Sequence, residues 1–194
     1  VMAQSPEEKG LEISKKAEIA DNGWGNSSNT LTMTLKNKNG QTTTRKTHGV
    51  NMEVEGDGDK SLTIFDTPKD VQGTASMTYT HKVGDDDQWL YLPALKRVKR
   101  ISSSNKSGPF MGSEFAFEDL SSQEVEKYSH KYIGLVKLKG ITCYKLERVP
   151  VAKTSGYKTI TVYINKENYR PEAIVFYDRK GSKLKTLTYS SYKK

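Results

Sequence analysis

One cysteine, Cys143, stands in the whole chain of 194 residues. It can build no internal disulfide, no Cys-x-x-Cys redox pair and no thiolate metal cluster. In the strand-like run Ile141-Thr-Cys-Tyr-Lys-Leu146 it reads as a packed thiol. Long apolar runs are missing too. A membrane helix needs roughly 18 uncharged apolar residues, and the longest stretch, Gln88 to Leu95, falls far short, so a soluble chain is expected. The three histidines, His48, His81 and His130, lie far apart without a second ligand at metal-binding spacing. No nucleophile elbow, phosphate loop or dinucleotide fingerprint occurs. These absences predict no catalytic residues, no cofactor and no metal, and therefore a protein that is not an enzyme. Two acidic turns, Asp57-Gly58-Asp59 and Asp85-Asp86-Asp87, collect hard oxygens but lack the spacing and terminal glutamate of a calcium loop, and read as plain hairpin turns.

The residues that are present alternate. Only 34% are hydrophobic and 28% are charged, so apolar side chains must be spread thinly along elements with one wet face, which favours antiparallel strands. One helix comes first, about 6–22: Ser5-Pro6-Glu7-Glu8 supplies an N-cap, a first-turn proline and acids for the dipole, with Leu11, Ala17 and Ile19 as its apolar positions. After Asn22-Gly23-Trp24-Gly25-Asn26 the period becomes two. Leu31, Met33 and Leu35 alternate with threonines, and the pattern recurs at Val50 to Val54, Leu62 and Ile64, Ala75 to Tyr79, and Trp89 to Leu92. It resumes at Tyr132 to Leu138, Thr142 to Val149, Lys158 to Ile164, Glu172 to Tyr177 and Lys183 to Tyr192. About ten strands joined by short polar turns, with no helices for parallel crossovers, predict an antiparallel meander curled into a barrel or half-barrel. The length suits one domain spanning 1–194.

Between them the segment 102–126 breaks the rhythm. A serine-rich loop leads to Phe110, Met111, Phe115 and Phe117 without strand alternation, and a short helix over 113–120 would make the segment a lid. Met33, Met52, Met77 and Met111 fall on apolar strand positions or in this lid; unbranched, polarizable side chains suit a site that wraps flexible ligands. Trp89 and Tyr91 are candidate lining residues on one strand, although Leu90 and Leu92 could equally face inward. The chain carries 31 basic against 23 acidic residues, a net +8. Its sharpest basic run is Lys96, Arg97, Lys99 and Arg100, which could meet an anionic headgroup, an acidic partner or only solvent. Single-stranded nucleic acid is the weaker match, because Val98 and Ile101 interrupt the cations.

The stretch Asp87-Gln-Trp-Leu-Tyr-Leu-Pro-Ala-Leu-Lys-Arg-Val-Lys-Arg-Ile-Ser-Ser-Ser, followed by Gly108-Pro-Phe-Met-Gly-Ser-Glu-Phe-Ala-Phe-Glu-Asp-Leu120, resembles the signature of bacterial outer-membrane lipoprotein-sorting proteins, relatives of LolA and LolB. The resemblance implies an open antiparallel β-barrel with a helical lid, in the periplasm of a Gram-negative bacterium, reached through a signal peptide since removed. It implies a carrier of lipoprotein acyl chains or another lipid, with transient membrane or membrane-protein contact and no nucleic acid. Met33, Met52, Met77, Trp89 and Tyr91 would then line the cavity and Phe110, Met111, Phe115 and Phe117 would close it. Relatives that accompany exporters of the RND type imply the alternative, a non-catalytic accessory subunit. Val1 is not a lipidation cysteine, so the chain is not expected to be lipid-anchored itself.

Overall fold

The computed structural model describes residues 4–192. These residues are mainly β, with one α-helix and two antiparallel sheets, and divide into two compact units, one formed by Gly23–Ser122 and the other by the residues on either side of it.

The first unit is a six-stranded meander in the order β1 (Asn26–Lys36), β2 (Thr42–Met52), β3 (Lys60–Thr67), β4 (Ala75–Tyr79), β5 (Asp87–Leu92) and β6 (Arg97–Ile101). Its turns follow local chemistry. The Asn37 carboxamide accepts from the backbone N–H groups of Asn39 (2.9 Å) and Gln41 (3.0 Å), and Gly40 supplies the positive φ that reverses the chain. The Glu53 carboxylate accepts from Gly23 N–H (2.7 Å) and Gly25 N–H (2.9 Å), which fixes the approach to β1. The eleventh strand, one more than the alternation suggested, is the basic run itself: a turn over Pro93–Leu95 leads to β6, which pairs with β5.

Register assigns every side chain of this sheet to a face, because directly opposed residues share one. One face carries Thr47 and Phe65, then Gly49, Thr63, Ser76, Leu90 and Lys99, then Thr78, Gln88 and Ile101. Here lies the core, in which Phe65, Val71, Leu90, Ile101 and Phe110 are buried, with Leu92, Met111, Phe117 and Leu120 packed around them. Met33, opposite Arg45, belongs to this face. The other face carries Val50, Leu62, Met77, Trp89 and Arg100 in one row and His48, Ile64, Ala75, Tyr91 and Val98 in the next.

In the second unit β7 (Tyr128–Leu138), β8 (Ile141–Pro150), β9 (Tyr157–Asn165), β10 (Pro171–Asp178) and β11 (Lys183–Thr188) form a five-stranded antiparallel meander. Leu146, Tyr157, Ile160, Val162, Ile164, Ile174 and Phe176 make its core together with Ile13 of helix α1 (Pro6–Asp21). The helix begins as its sequence predicts. The Ser5 hydroxyl accepts from Glu8 N–H (3.1 Å), and the Glu8 carboxylate accepts from Ser5 N–H (2.8 Å). Its buried face differs from expectation: Gly10, Ile13 and Ser14 are buried, whereas Leu11 is 38% and Ile19 71% exposed. The reason is close approach. A Cβ on Gly10 would lie 2.8 Å from the backbone nitrogens of both Lys131 and Tyr132, so the helix seats by its smallest residues. Neither sheet closes on itself; β1 and β6 are the edges of one, β7 and β11 of the other.

Candidate functional site

The segment expected to form a helical lid is a strap with little helix. Residues 113–116 are not helical, and a single 3-10 turn, Phe117–Leu120, follows. Met111 and Gly112 both take positive φ, which interrupts any helix. Phe110 N–H donates to Phe115 O (2.6 Å), making a tight reversal, and Asp119 accepts from Ala116 N–H (2.6 Å) to start the turn. The strap is fastened to the core-bearing face of the six-stranded sheet. Phe110 meets Phe65 at a ring-centroid distance of 6.0 Å and Phe117 edge-on at 5.6 Å. The Arg45 guanidinium donates to Met111 O (2.6 Å) while lying over the Phe65 ring, and the buried Gln88 carboxamide donates to Phe117 O (2.7 Å). Gln88, Thr47, Ser76 and Thr78 are buried polar residues on this otherwise apolar face, and among the described residues the Thr47 hydroxyl has no hydrogen-bond partner.

The expected lining residues therefore separate. Met33, Phe110, Met111 and Phe117 belong to the strapped face, with Leu90 and Phe65, and Phe115 sits half-exposed in the strap. Met52, Met77, Trp89 and Tyr91 lie on the opposite face, where Val50 (52%) and Met52 (43%) are well exposed and Tyr79 stacks edge-on against Trp89 at 5.3 Å. A single cavity lined by all of them is not what the register allows, because Met33 shares the face of Thr47 and Phe65 while Met52, Met77, Trp89 and Tyr91 point to the other side. The strand parity left open by sequence resolves with Leu90 toward the strap. The four basic residues divide likewise. Arg97 and Lys99 are on the strapped side, Arg100 is on the open side and ion-paired with Asp87, and Lys96 occupies the left-handed position of the preceding turn.

The two acidic turns converge, which spacing alone did not reveal. His81 Nδ1 lies 2.9 Å from Asp57 and Nε2 3.2 Å from Asp87. Both ring nitrogens must then donate, so the geometry calls for the imidazolium. Hydrogen bonding to Asp57, then to Asp87, raises the His81 pKa, and the same contact lowers Asp57 to about 2. The neighbouring acids are also held: Asp86 accepts from His81 N–H (3.0 Å) and the Ser121 hydroxyl (2.6 Å), and Asp85 from the Ser103 hydroxyl (2.7 Å). This knot ties the β2–β3 and β4–β5 connections to both ends of the strap segment.

A second histidine, in the other unit, behaves oppositely. His130 Nε2 lies 2.8 Å from Val125 O, which can only accept, so the neutral ring carries its proton there. Nδ1 then accepts from the Ser14 hydroxyl (2.8 Å), and Ser14 Oγ accepts in turn from the buried Arg148 guanidinium (3.3 Å). Burial lowers the His130 pKa, and the Arg148 charge lowers it further. The pH dependences have opposite signs. His81, with its pKa raised in the fold, contributes stability that is complete below about pH 6.5 and disappears as pH rises through its folded value. His130, with its pKa lowered, contributes stability that is present above about pH 6.5 and is lost as pH falls through its folded value. Acidification from neutrality is expected to loosen α1 and leave the His81 knot intact, until Asp57 and Asp87 begin to protonate. Proton NMR titration of the two imidazoles, each assigned by a His→Gln variant, checks this; a His130 resonance titrating above that of His81 would contradict it. Glu18, Glu124 and Glu126 bring carboxylate oxygens within 4.8 Å of one another in the same unit.

Among the described residues no helix is long and apolar enough to cross a membrane. No curated protein matches the chain. A family profile described as uncharacterized protein-like matches residues 57–194. Among solved structures, a domain of an outer membrane lipoprotein-sorting protein from Vibrio parahaemolyticus is 56% identical, with a TM-score of 0.95 over 96% of this chain and 79% of that one. A DUF1329 family protein from Desulfovibrio piger is 30% identical, with a TM-score of 0.89 over 97% and 80% of the two chains. A LolA superfamily protein from Nitrosomonas europaea shares the fold at 18% identity, with a TM-score of 0.73 over 95% and 79%. With its two open antiparallel sheets and its N-terminal helix, this chain has a LolA-like fold, and it belongs to the family of the Vibrio outer membrane lipoprotein-sorting protein domain and the Desulfovibrio DUF1329 protein.

Proposed function

We propose that the protein is a non-enzymatic periplasmic carrier that takes up an acyl chain of a lipoprotein, or another lipid-like ligand, between the strap and the core-bearing face of the six-stranded sheet. The observation that carries the reading is the strap itself, whose Phe110, Met111, Phe117 and Leu120 pack on Phe65 and Leu90 as a removable plug of the ligand's own chemistry. An acyl chain entering there exchanges one set of apolar contacts for another. Each methylene buried is worth about 0.8 kcal/mol, so the chain can replace the plug without any catalytic group. Met33 and Met111 can repack around a flexible tail. Arg45 and Gln88 hold the strap by backbone carbonyls, which can be regained on closing whatever lies beneath. Arg97 and Lys99, on the strapped side, suit an anionic headgroup left outside.

A second reading, an accessory subunit of an RND-type exporter, draws on the open face, where Val50, Leu62, Met77 and Trp89 make a continuous apolar row of the kind that marks protein-binding surfaces. One experiment separates the two. Protein purified from a bacterial periplasm is weighed by native mass spectrometry, and whatever travels with it is extracted and analysed, for the unaltered chain, Phe117→Asp and Met77→Asp. The carrier reading expects a stoichiometric acyl-bearing species that Phe117→Asp loses and Met77→Asp keeps. A chain that stays empty after incubation with lipids and lipopeptides would end that reading in favour of the accessory subunit.

A further inference from the structure

Four strand edges are open, and three are guarded. β6 carries Arg97, Lys99 and Arg100 among its five residues, β11 carries Lys183 and Lys185, and β7 carries Lys131 and Lys137 and is broken by a register shift between Tyr132 and Gly134. Charges and bulges of this kind keep an edge from templating another strand. β1 has neither. It pairs with β2 over all eleven of its residues without a bulge, its ten residues from Asn26 to Leu35 carry no charge, and all but Met33 and Leu35 are exposed. Among the described residues, no hydrogen bond is made to the outer backbone of β1.

We propose that β1 is a docking edge and that its occupant is β1 of a second copy of this chain, joined antiparallel about a two-fold axis through Met33. The sequence of the strand is self-complementary in that register. Met33 meets its own copy, Leu31 and Leu35 meet each other twice, and Thr32 and Thr34 meet each other twice on the opposite face, so apolar pairs with apolar and hydroxyl with hydroxyl. Shifting the register by one residue would set Met33 against Thr34 and Leu31 against Lys36, mixing the two faces. The charge pattern favours the same partner. Two molecules of net charge +8 repel, and along β1 they can meet with no cation opposite a cation: Lys36, the strand's one charge, falls opposite Thr30 of the copy. Two six-stranded sheets would then run on as one sheet of twelve, with the strapped faces on the same side. The inference does not depend on what the strap covers.

Sedimentation velocity across a concentration series, together with a cysteine scan, tests it. The unaltered chain is expected to shift reversibly from monomer to dimer as concentration rises. Thr32→Lys combined with Thr34→Lys places lysine opposite lysine twice and is expected to weaken association about tenfold or more. Both positions are exposed on an edge, so the fold should survive, which circular dichroism verifies. Met33→Cys should form an intermolecular disulfide on mild oxidation, because directly opposed Cα atoms lie about 4.5–5.5 Å apart, inside disulfide range. Ser28→Cys, far from its own copy in this register, should not. Cys143 is fully buried and does not compete. A chain that remains monomeric at every concentration and leaves Met33→Cys uncrosslinked overturns the inference, and so does a dimer indifferent to the two lysines.

Discussion

Replacing Gly10 by alanine is expected to unseat the only α-helix among the described residues. On an isolated helix the change would help by about 1 kcal/mol. Here the new Cβ would meet Lys131 N and Tyr132 N at 2.8 Å and Lys131 C at 2.9 Å, all backbone atoms of β7, which cannot rotate away as a side chain could. Overpacking of this kind costs about 1–3 kcal/mol, and with backbone on the receiving side the upper end applies. The net loss of about 2 kcal/mol should lower the melting of the helical circular dichroism band by about 8–16 °C for a unit of fewer than about 100 residues. Both tryptophans, Trp24 and Trp89, lie in the six-stranded unit, so their fluorescence should change little. Unchanged helical melting would mean that α1 is not held by this contact.

Phe65→Ala has the complementary signature. Phe65 is 1% exposed and supports Phe110, the Arg45 guanidinium and, through Phe110, Phe117. Truncating a buried phenylalanine costs about 3–5 kcal/mol. The tryptophan-monitored unfolding midpoint should therefore fall by about 2 M urea for a slope near 2 kcal/mol per molar, with the strap freed at still lower concentration. A shift below about 0.5 M would show that the strap collapses into the space and that the aromatic cluster is not its anchor.

The difference between those two contacts explains what could be read from the chain beforehand. The Ser5 cap, the strand alternation and most of the turns are local, and their residues announce them. The seat of α1 is not local: it depends on Gly10 touching a strand more than a hundred residues away, and apolar periodicity points instead to Leu11 and Ile19, which face water. Within β5, four apolar residues in succession carry no parity, and only pairing with β4 and β6 turns Leu90 toward the strap and Trp89 away. Asp57 and Asp87 look like ordinary turn acids until the meander brings them to the two sides of His81. The methionines and the strap aromatics were recognisable as a class, but their division between two faces required the register.

The unit that contains α1 is interrupted by the whole of the other, since its partners β7 and β8 begin only after residue 122. The helix is thus made before its partners and must wait through a hundred residues of synthesis before Lys131, His130 and Arg148 exist to receive Gly10 and Ser14. In the meantime 23–122, contiguous in the chain, can complete its own meander. The loop that α1 must finally close is therefore spanned by an already folded body instead of a flexible coil, which sidesteps much of the closure entropy. An amphipathic segment left idle for that interval is exposed until its partner strands arrive.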